Sequence, residues 1–225
     1  MIHFPQRVSN DFIHTSDLLP TLGSAAGISV ERNGLDGINQ WPTISFGLPS
    51  ARFEIVNNID PIVGFSSYTF GSYKIVDGTS SNGLYDGWLG DPGRNAVPTS
   101  SLTYATNVLQ SRASKAIRSI QKKKNQLTTK KIMLLRKEAT VKCFKTKKNH
   151  CDLLSGPCLF NIIKDPCEQN DIAELQPLKM KFMEHQLEEW TLKAVRSRRK
   201  PADPACNPAN FNGTWNFWQP DGPIV

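Results

Sequence analysis

A chain of 225 residues with 39% apolar residues can bury one substantial core, and its ordinary composition excludes wholesale disorder and fibrous repeats. No apolar run approaches the roughly 20 residues needed to cross a bilayer, so no membrane span is expected. The formal charge of +7 is uneven: 14 of the 27 Lys and Arg lie within 112–148 against the single acid Glu138, which leaves that stretch at +13 and the remainder at −6.

In chain order, Thr15, Ser16 and Asp17 are good helix N-caps, and Leu18-Leu-Pro-Thr-Leu22 tolerates its proline only near a first turn. Gly23 and Gly27 keep that helix short. Gly34-Leu-Asp-Gly37 reads as a loop and Trp41-Pro42 as extended chain. Arg52-Phe-Glu-Ile-Val56 alternates polar and apolar residues as a half-buried strand does. Ser67-Tyr-Thr-Phe70 and Tyr73-Lys-Ile-Val76 flank Gly71-Ser72, a recognised hairpin turn. From Gly78 to Thr106 the density of Gly, Pro, Asn and Ser predicts a long loop.

The basic segment begins near Ser111. Ala113, Ala116, Ile117 and Ile120 recur at helical spacing, as do Ile132, Leu135 and Ala139, so two short amphipathic helices are expected, separated near Asn125. Their apolar stripes are expected to rest on the body, with the lysines in water. Such a segment attracts nucleic acid, anionic lipid or sulfated glycan, or is simply a solvated insertion. Phe144 is its only aromatic residue, which disfavours nucleic acid bound by base stacking. Cys158-Leu-Phe-Asn-Ile-Ile163 reads as a strand closed by Asp165-Pro166. Leu178, Phe182, Trp190 and Ala194, with Met183 and Leu187 between them, predict one good helix. Trp215 and Trp218 in the terminal loop are expected to pack against the domain.

Together these elements predict an α+β fold: a small antiparallel sheet packed with a C-terminal helix, plus a basic helical insertion. The expected divisions are 1–110, then the insertion 111–150, then 151–225 with the last strand, helix and terminal loop, all in one domain.

Of five cysteines, Cys143, Cys151, Cys158 and Cys167 cluster and Cys206 stands apart. Without a C-x-x-C pair, zinc is poorly supported, and two local disulfides are the simpler reading. Cys143 with Cys151 and Cys158 with Cys167 is the preferred pairing among three. Disulfides imply an oxidising compartment, and the sequon Asn212-Gly-Thr214 points the same way, with Asn212 as the candidate glycosylation site. Met1-Ile-His-Phe-Pro5 lacks the basic start and apolar core of a secretory signal, a conflict that a truncated N-terminus would resolve.

No G-x-S-x-G, phosphate-cradling glycine loop or H-E-x-x-H occurs. His3, His14, His150 and His185 are scattered, and His14, beside a helix cap, reads as structural. Asp165, Asp171 and the acid of the 34–37 turn read as turn-capping groups. No catalytic, substrate-binding or metal-binding residue is assigned.

Six strings, in order, resemble the arylsulfatase B group of sulfatases, in the form common in arthropods. His14-Thr-Ser-Asp-Leu-Leu-Pro-Thr-Leu22 resembles H-x-S-D-W-L-P-T-L, with Leu18 for tryptophan, and Leu35-Asp-Gly-Ile-Asn-Gln-Trp41 resembles L-D-G-x-x-x-W. Glu54-Ile-Val-Asn-Asn-Ile-Asp-Pro61 is similar to E-x-x-H-N-I-D-P, with Asn57 for histidine. Gly71-Ser-Tyr-Lys-Ile-Val76 looks like the family hairpin. Gly156-Pro-Cys-Leu-Phe-Asn-Ile162 with Asp165-Pro-Cys-Glu168 resembles the strand and turn before the last helix, and Pro201-Ala-Asp-Pro-Ala-Cys-Asn-Pro208 with Gly213-Thr-Trp215 resembles the terminal loop.

The resemblance implies the smaller, C-terminal domain of an alkaline-phosphatase-like sulfatase fold. It also implies an enzyme family that hydrolyses sulfate esters, including N-acetylgalactosamine 4-sulfate in glycosaminoglycans. The family nucleophile is a formylglycine made from the cysteine of C-x-P-S-R or C-x-P-x-R. Cys206-Asn-Pro-Ala-Asn210 lacks the arginine and is rejected. Calcium ligands and catalytic cations lie upstream of the H-x-S-D-W string in the family, so this chain is expected to carry no cofactor and no sulfatase activity alone, whereas the complete enzyme holds calcium. Phe70 stands where the hairpin would bring a substrate-facing histidine, and Thr69 where arginine or another polar residue is common. Cys206 is expected to be unpaired, its family partner lying outside this chain. The expected partners are a catalytic domain or a second copy of the chain, with sulfated glycan as a further candidate. The expected location of a complete parent is lysosomal or secreted.

Overall fold

A computed structural model describes residues 2–30, 34–84, 86, 101–120, 126–143, 150–197 and 203–216. Two compact units are present, Met1–Lys193 and Ala194–Val225.

The first unit is built on a four-stranded sheet in the order β1 (Glu54–Asp60), β2 (Phe65–Phe70), β3 (Tyr73–Asp77) and β4 (Cys158–Asn161). Every pairing is antiparallel. Phe70 faces Tyr73 across the two-residue turn Gly71-Ser72, where Gly71 adopts φ +56. Such a backbone suits glycine, which has no Cβ to clash. The β1–β2 register slips between Val56 and Asn58, so Asn57 is the extra residue of a bulge.

The final helix of this unit, α6 (Pro177–Lys193), lies on β2 and β3. Its buried stripe is Met180, Met183 and Leu187, joined by the partly buried Trp190, and it meets Tyr68, Ile75 and Leu159 to form the core. These helix positions are spaced by three, four and three residues, as one helical face requires. Leu178 and Ala194, expected in this stripe, are exposed, and Ala194 lies beyond the helix end. The side chain of Trp190 also reaches β1, donating from Nε1 to Glu54 at 3.2 Å, and the Tyr68 hydroxyl donates to the same carboxylate. Burial first, and then the neighbouring Glu54 carboxylate, raise the Tyr68 phenol above its ordinary pKa.

Helix α1 (Leu18–Ala25) follows a tight turn at Thr15–Asp17, and helix α2 (Trp41–Phe46) packs on α1. The extended chain expected at Trp41-Pro42 is therefore a helix start. Proline fits a first turn because its missing N–H would have had no partner there. Gly47, at φ +70, ends α2.

Helix α3 (Leu102–Gln110) replaces the last part of the expected long loop; positions 85 and 87–100 lie outside the described residues. Ser101 caps it by accepting from the Tyr104 N–H at 3.1 Å, a start that the Gly- and Pro-rich sequence before it masks. The two basic helices, α4 (Arg112–Ile120) and α5 (Thr129–Glu138), both pack on α3. Ile132 of α5 is buried, but α4 buries no residue, so the expectation that both stripes rest on the body fails for α4. The expected separator near Asn125 lies outside the described residues.

Two disulfides tie the last part of this unit together, Cys143–Cys167 and Cys151–Cys158. This differs from the pairing preferred on sequence. Asp152 organises a turn whose carbonyl accepts from the N–H groups of Ser155 and Gly156, at 3.0 and 3.2 Å, and this folds Cys151 back onto Cys158. Beyond Cys158 the extended strand β4 carries the chain away at about 3.3 Å per residue, leaving Cys167 to meet Cys143.

The second unit contains two short turns, Pro204–Cys206 and Pro208–Phe211, capped by the side chains of Asp203 and Asn207. Cys206 has no disulfide partner, and Asn212 is exposed in a left-handed conformation. Trp215 is 79% exposed, and the chain before it turns on local hydrogen bonds such as that from the Thr214 hydroxyl to the Phe211 carbonyl. Trp218 lies outside the described residues.

Candidate functional site

Three positions at which the sequence departs from the sulfatase strings come together at the β1–β2 edge. Bulging exposes Asn57, and the Thr69 hydroxyl donates to its Oδ1 at 2.7 Å. Neighbouring Phe70 packs edge-on against Phe182 of α6, with ring centroids 5.4 Å apart. Along β2 alternate side chains leave opposite faces, so Phe70 shares the helix-facing side with Tyr68 while Thr69 points away. A bulge is a common device for aiming a side chain at a ligand. Here it aims a neutral amide already engaged by a hydroxyl, an arrangement without charge, nucleophile or titratable proton.

The most highly organised polar group is Asp17, a fully buried carboxylate held in the turn before α1. It accepts from the N–H groups of Ile38 at 2.7 Å and His14 at 3.0 Å, and from Arg52 Nε at 2.8 Å. Arg52 forms a second, parallel contact to the other carboxylate oxygen, making a fork-on-fork ion pair. Gln40, also fully buried, donates to Asp17 at 3.4 Å and accepts from the Ser50 hydroxyl at 3.0 Å. Burial opposes ionisation, but the hydrogen bonds from Arg52, Ile38 and His14 outweigh it and hold the Asp17 carboxyl at a pKa of about 2. Asp17 was read from sequence only as a helix cap. It does cap, in a reciprocal box: the Asp17 carboxylate accepts from the His14 N–H, while His14 Nδ1 accepts from the Ser16 N–H and lies 2.8 Å from the Ser16 hydroxyl.

His14 beside Ser16 has the spacing of a base beside a nucleophile, but the neighbouring carboxylate does not orient the imidazole. Catalysis of that kind commonly uses a third group to orient the imidazole, and Asp17 bonds Arg52 and backbone amides instead. Among the other histidines, His3 stacks on Phe46 at 4.4 Å, His150 contacts the Cys151 carbonyl and His185 is exposed on α6. Among the described residues no group of three or more His, Cys, Asp or Glu side chains could hold a metal ion. Asp17, with its lone pairs taken by a guanidinium and two amides, does not fit a calcium site. Asp165 and Asp171 accept from nearby backbone N–H groups, as turn carboxylates do. No helix of the described residues is long and apolar enough to cross a membrane.

Three concave surfaces stand out among the described residues. One of about 310 Å³ at an end of the sheet is lined by Asp60, Asp77, Glu184, Ser66 and Thr191 among others, and one of about 270 Å³ lies behind α1. The largest of the three, about 690 Å³, runs along α5 between Lys130, Met133, Leu134, Lys137 and Lys142.

The described residues form an α+β fold with a small antiparallel sheet, and nearly the whole chain is similar in sequence to part of a sulfatase. Arylsulfatase J of Mus musculus is 28% identical to it over 221 residues, covering 94% of this chain and 31% of that protein. The chain thus spans under a third of that relative's length. A solved structure described in connection with the metabolism of multiple glycosaminoglycans by Bacteroides thetaiotaomicron superposes with a TM-score of 0.39 at 12% identity, covering 77% of this chain and 24% of that one. No family model matches.

Proposed function

We propose that the chain is the C-terminal, non-catalytic portion of a sulfuric ester hydrolase of the arylsulfatase B and J kind, and that it serves by docking onto a catalytic portion. The observation that carries this is the alignment of nearly the whole chain with under a third of arylsulfatase J. In this reading the nucleophile and calcium reside outside the present residues, the complete enzyme acts on sulfated sugars such as N-acetylgalactosamine 4-sulfate, and it works in the lysosome or outside the cell. The two disulfides support an oxidising compartment.

The inverted amphipathicity of α1 supports the docking role. This helix buries Pro20 and Thr21 and exposes Leu18, Leu19 and Leu22 at 55, 59 and 64%. The three leucines fall within about 100° of arc. A helix that turns leucines outward presents a surface for another protein body. The chain alone should therefore self-associate in sedimentation velocity, and Leu19→Ser with Leu22→Ser should restore the monomer. A monodisperse, monomeric wild-type chain would overturn the docking role.

A further inference from the structure

We propose that α4 is an interfacial helix that lays the chain on an anionic lipid surface, independently of the hydrolase reading. Projected at 3.6 residues per turn, Ala113, Ala116, Ile117 and Ile120 fall within about 100° of arc, while Arg112, Ser114, Lys115, Arg118 and Ser119 fill the rest. No residue of α4 is buried, and Ile120 is 73% exposed. The apolar stripe therefore faces solvent although α4 packs beside α3.

Charge selects the occupant's sign. Arg112, Lys115 and Arg118 carry three positive charges, α4 has no acid, and among the described residues no ion pair engages them. Among the described residues Arg118 donates to a neutral partner, the Gln126 amide oxygen, at 3.4 Å. The stripe selects the occupant's class. A sulfated glycan or a nucleic acid would satisfy the cations but leave Ile117 and Ile120 in water, and α4 offers no aromatic face to a sugar ring or base. A bilayer interface satisfies both halves, with isoleucines at the acyl boundary and cations among the headgroups. The same mixture recurs along α5, where exposed Leu134 lies among Lys130, Lys137 and Lys142.

The test is co-sedimentation of the oxidised full chain with vesicles of phosphatidylcholine alone and of phosphatidylcholine with about one-third phosphatidylserine. Binding is expected only to the anionic vesicles, falling as salt shortens the screening length. Each of Lys115→Gln and Arg118→Gln should weaken partition about fivefold. Ile117→Ser with Ile120→Ser should weaken it about tenfold or more, and because both side chains are exposed the fold should persist, as circular dichroism would verify. Absence of binding to anionic vesicles would overturn the proposal. So would undiminished binding by the double serine variant, or retention on heparin or DNA that exceeds vesicle binding and ignores that variant.

Discussion

Replacing Arg52 by methionine keeps most of the side chain's volume and removes the charge facing Asp17. Asp17 is wholly buried, and the Arg52 side chain is 11% exposed, so water cannot substitute for the guanidinium. Breaking a buried ion pair on one side typically costs about 3–5 kcal/mol, because the remaining charge stays buried without its partner. Asp17 keeps the Ile38 and His14 amides, which places the expected loss near the lower end, at about 3 kcal/mol. The pH dependence supplies an independent sign. In the native chain the Asp17 carboxyl lies at about 2, below its ordinary 3.8, so its contribution is complete above 3.8 and is lost as pH falls through 2. That difference is worth about 2.5 kcal/mol. In Arg52→Met, burial is no longer outweighed, the Asp17 pKa rises, and mild acidification should hurt this variant less than the wild type. Urea denaturation followed by circular dichroism between pH 2 and 7 measures both effects. A loss under 0.5 kcal/mol at pH 7, roughly the size of an unimportant surface change, would refute the claim that this pair anchors the turn before α1 to the chain leading into β1.

Gly37→Ala should cost about 3 kcal/mol in the same assay, because the added Cβ would lie 2.1 Å from the Ser16 carbonyl oxygen, directly beside Asp17. Cys143→Ser with Cys167→Ser should cost about 3 kcal/mol by freeing a loop of 24 residues in the unfolded chain, and non-reducing peptide mapping should find no bridge from Cys143 to Cys151 in the wild type. Expressed through a secretory host, the chain should gain glycan mass at Asn212, since the sequon is exposed, and Asn212→Gln should abolish that gain. One equivalent of maleimide should label the oxidised chain, at Cys206.

Hairpin and final helix were legible in the sequence because local signals and tertiary packing agree there. Gly71-Ser72 dictates the β2–β3 turn, and Met183 and Leu187 do lie in the core, although the full stripe had to be located by which neighbours the helix meets. The Asp17–Arg52 pair was not legible: 35 residues separate the partners, and nothing local to either marks a long-range contact. The disulfide pairing failed for a related reason, since short separations favour Cys143 with Cys151 until the Asp152 turn and the direction of β4 are known. α2 was missed because Trp-Pro reads as extended unless the proline begins a helix. At the candidate edge, the strings named Asn57, Thr69 and Phe70 one by one, but their meeting depends on the bulge, which only strand register reveals.

The measurement that bears most directly on the central claim is turnover of a chromogenic sulfate ester by the purified chain. The chain would be produced in a host that converts cysteine to formylglycine and assayed with calcium against a heat-denatured blank. The expected result is a rate equal to the blank, because no described cluster combines a metal site, an aldehyde-forming cysteine motif and fixed cations. A sustained rate above the blank that co-purifies with the folded chain would contradict the assignment of catalysis to residues elsewhere.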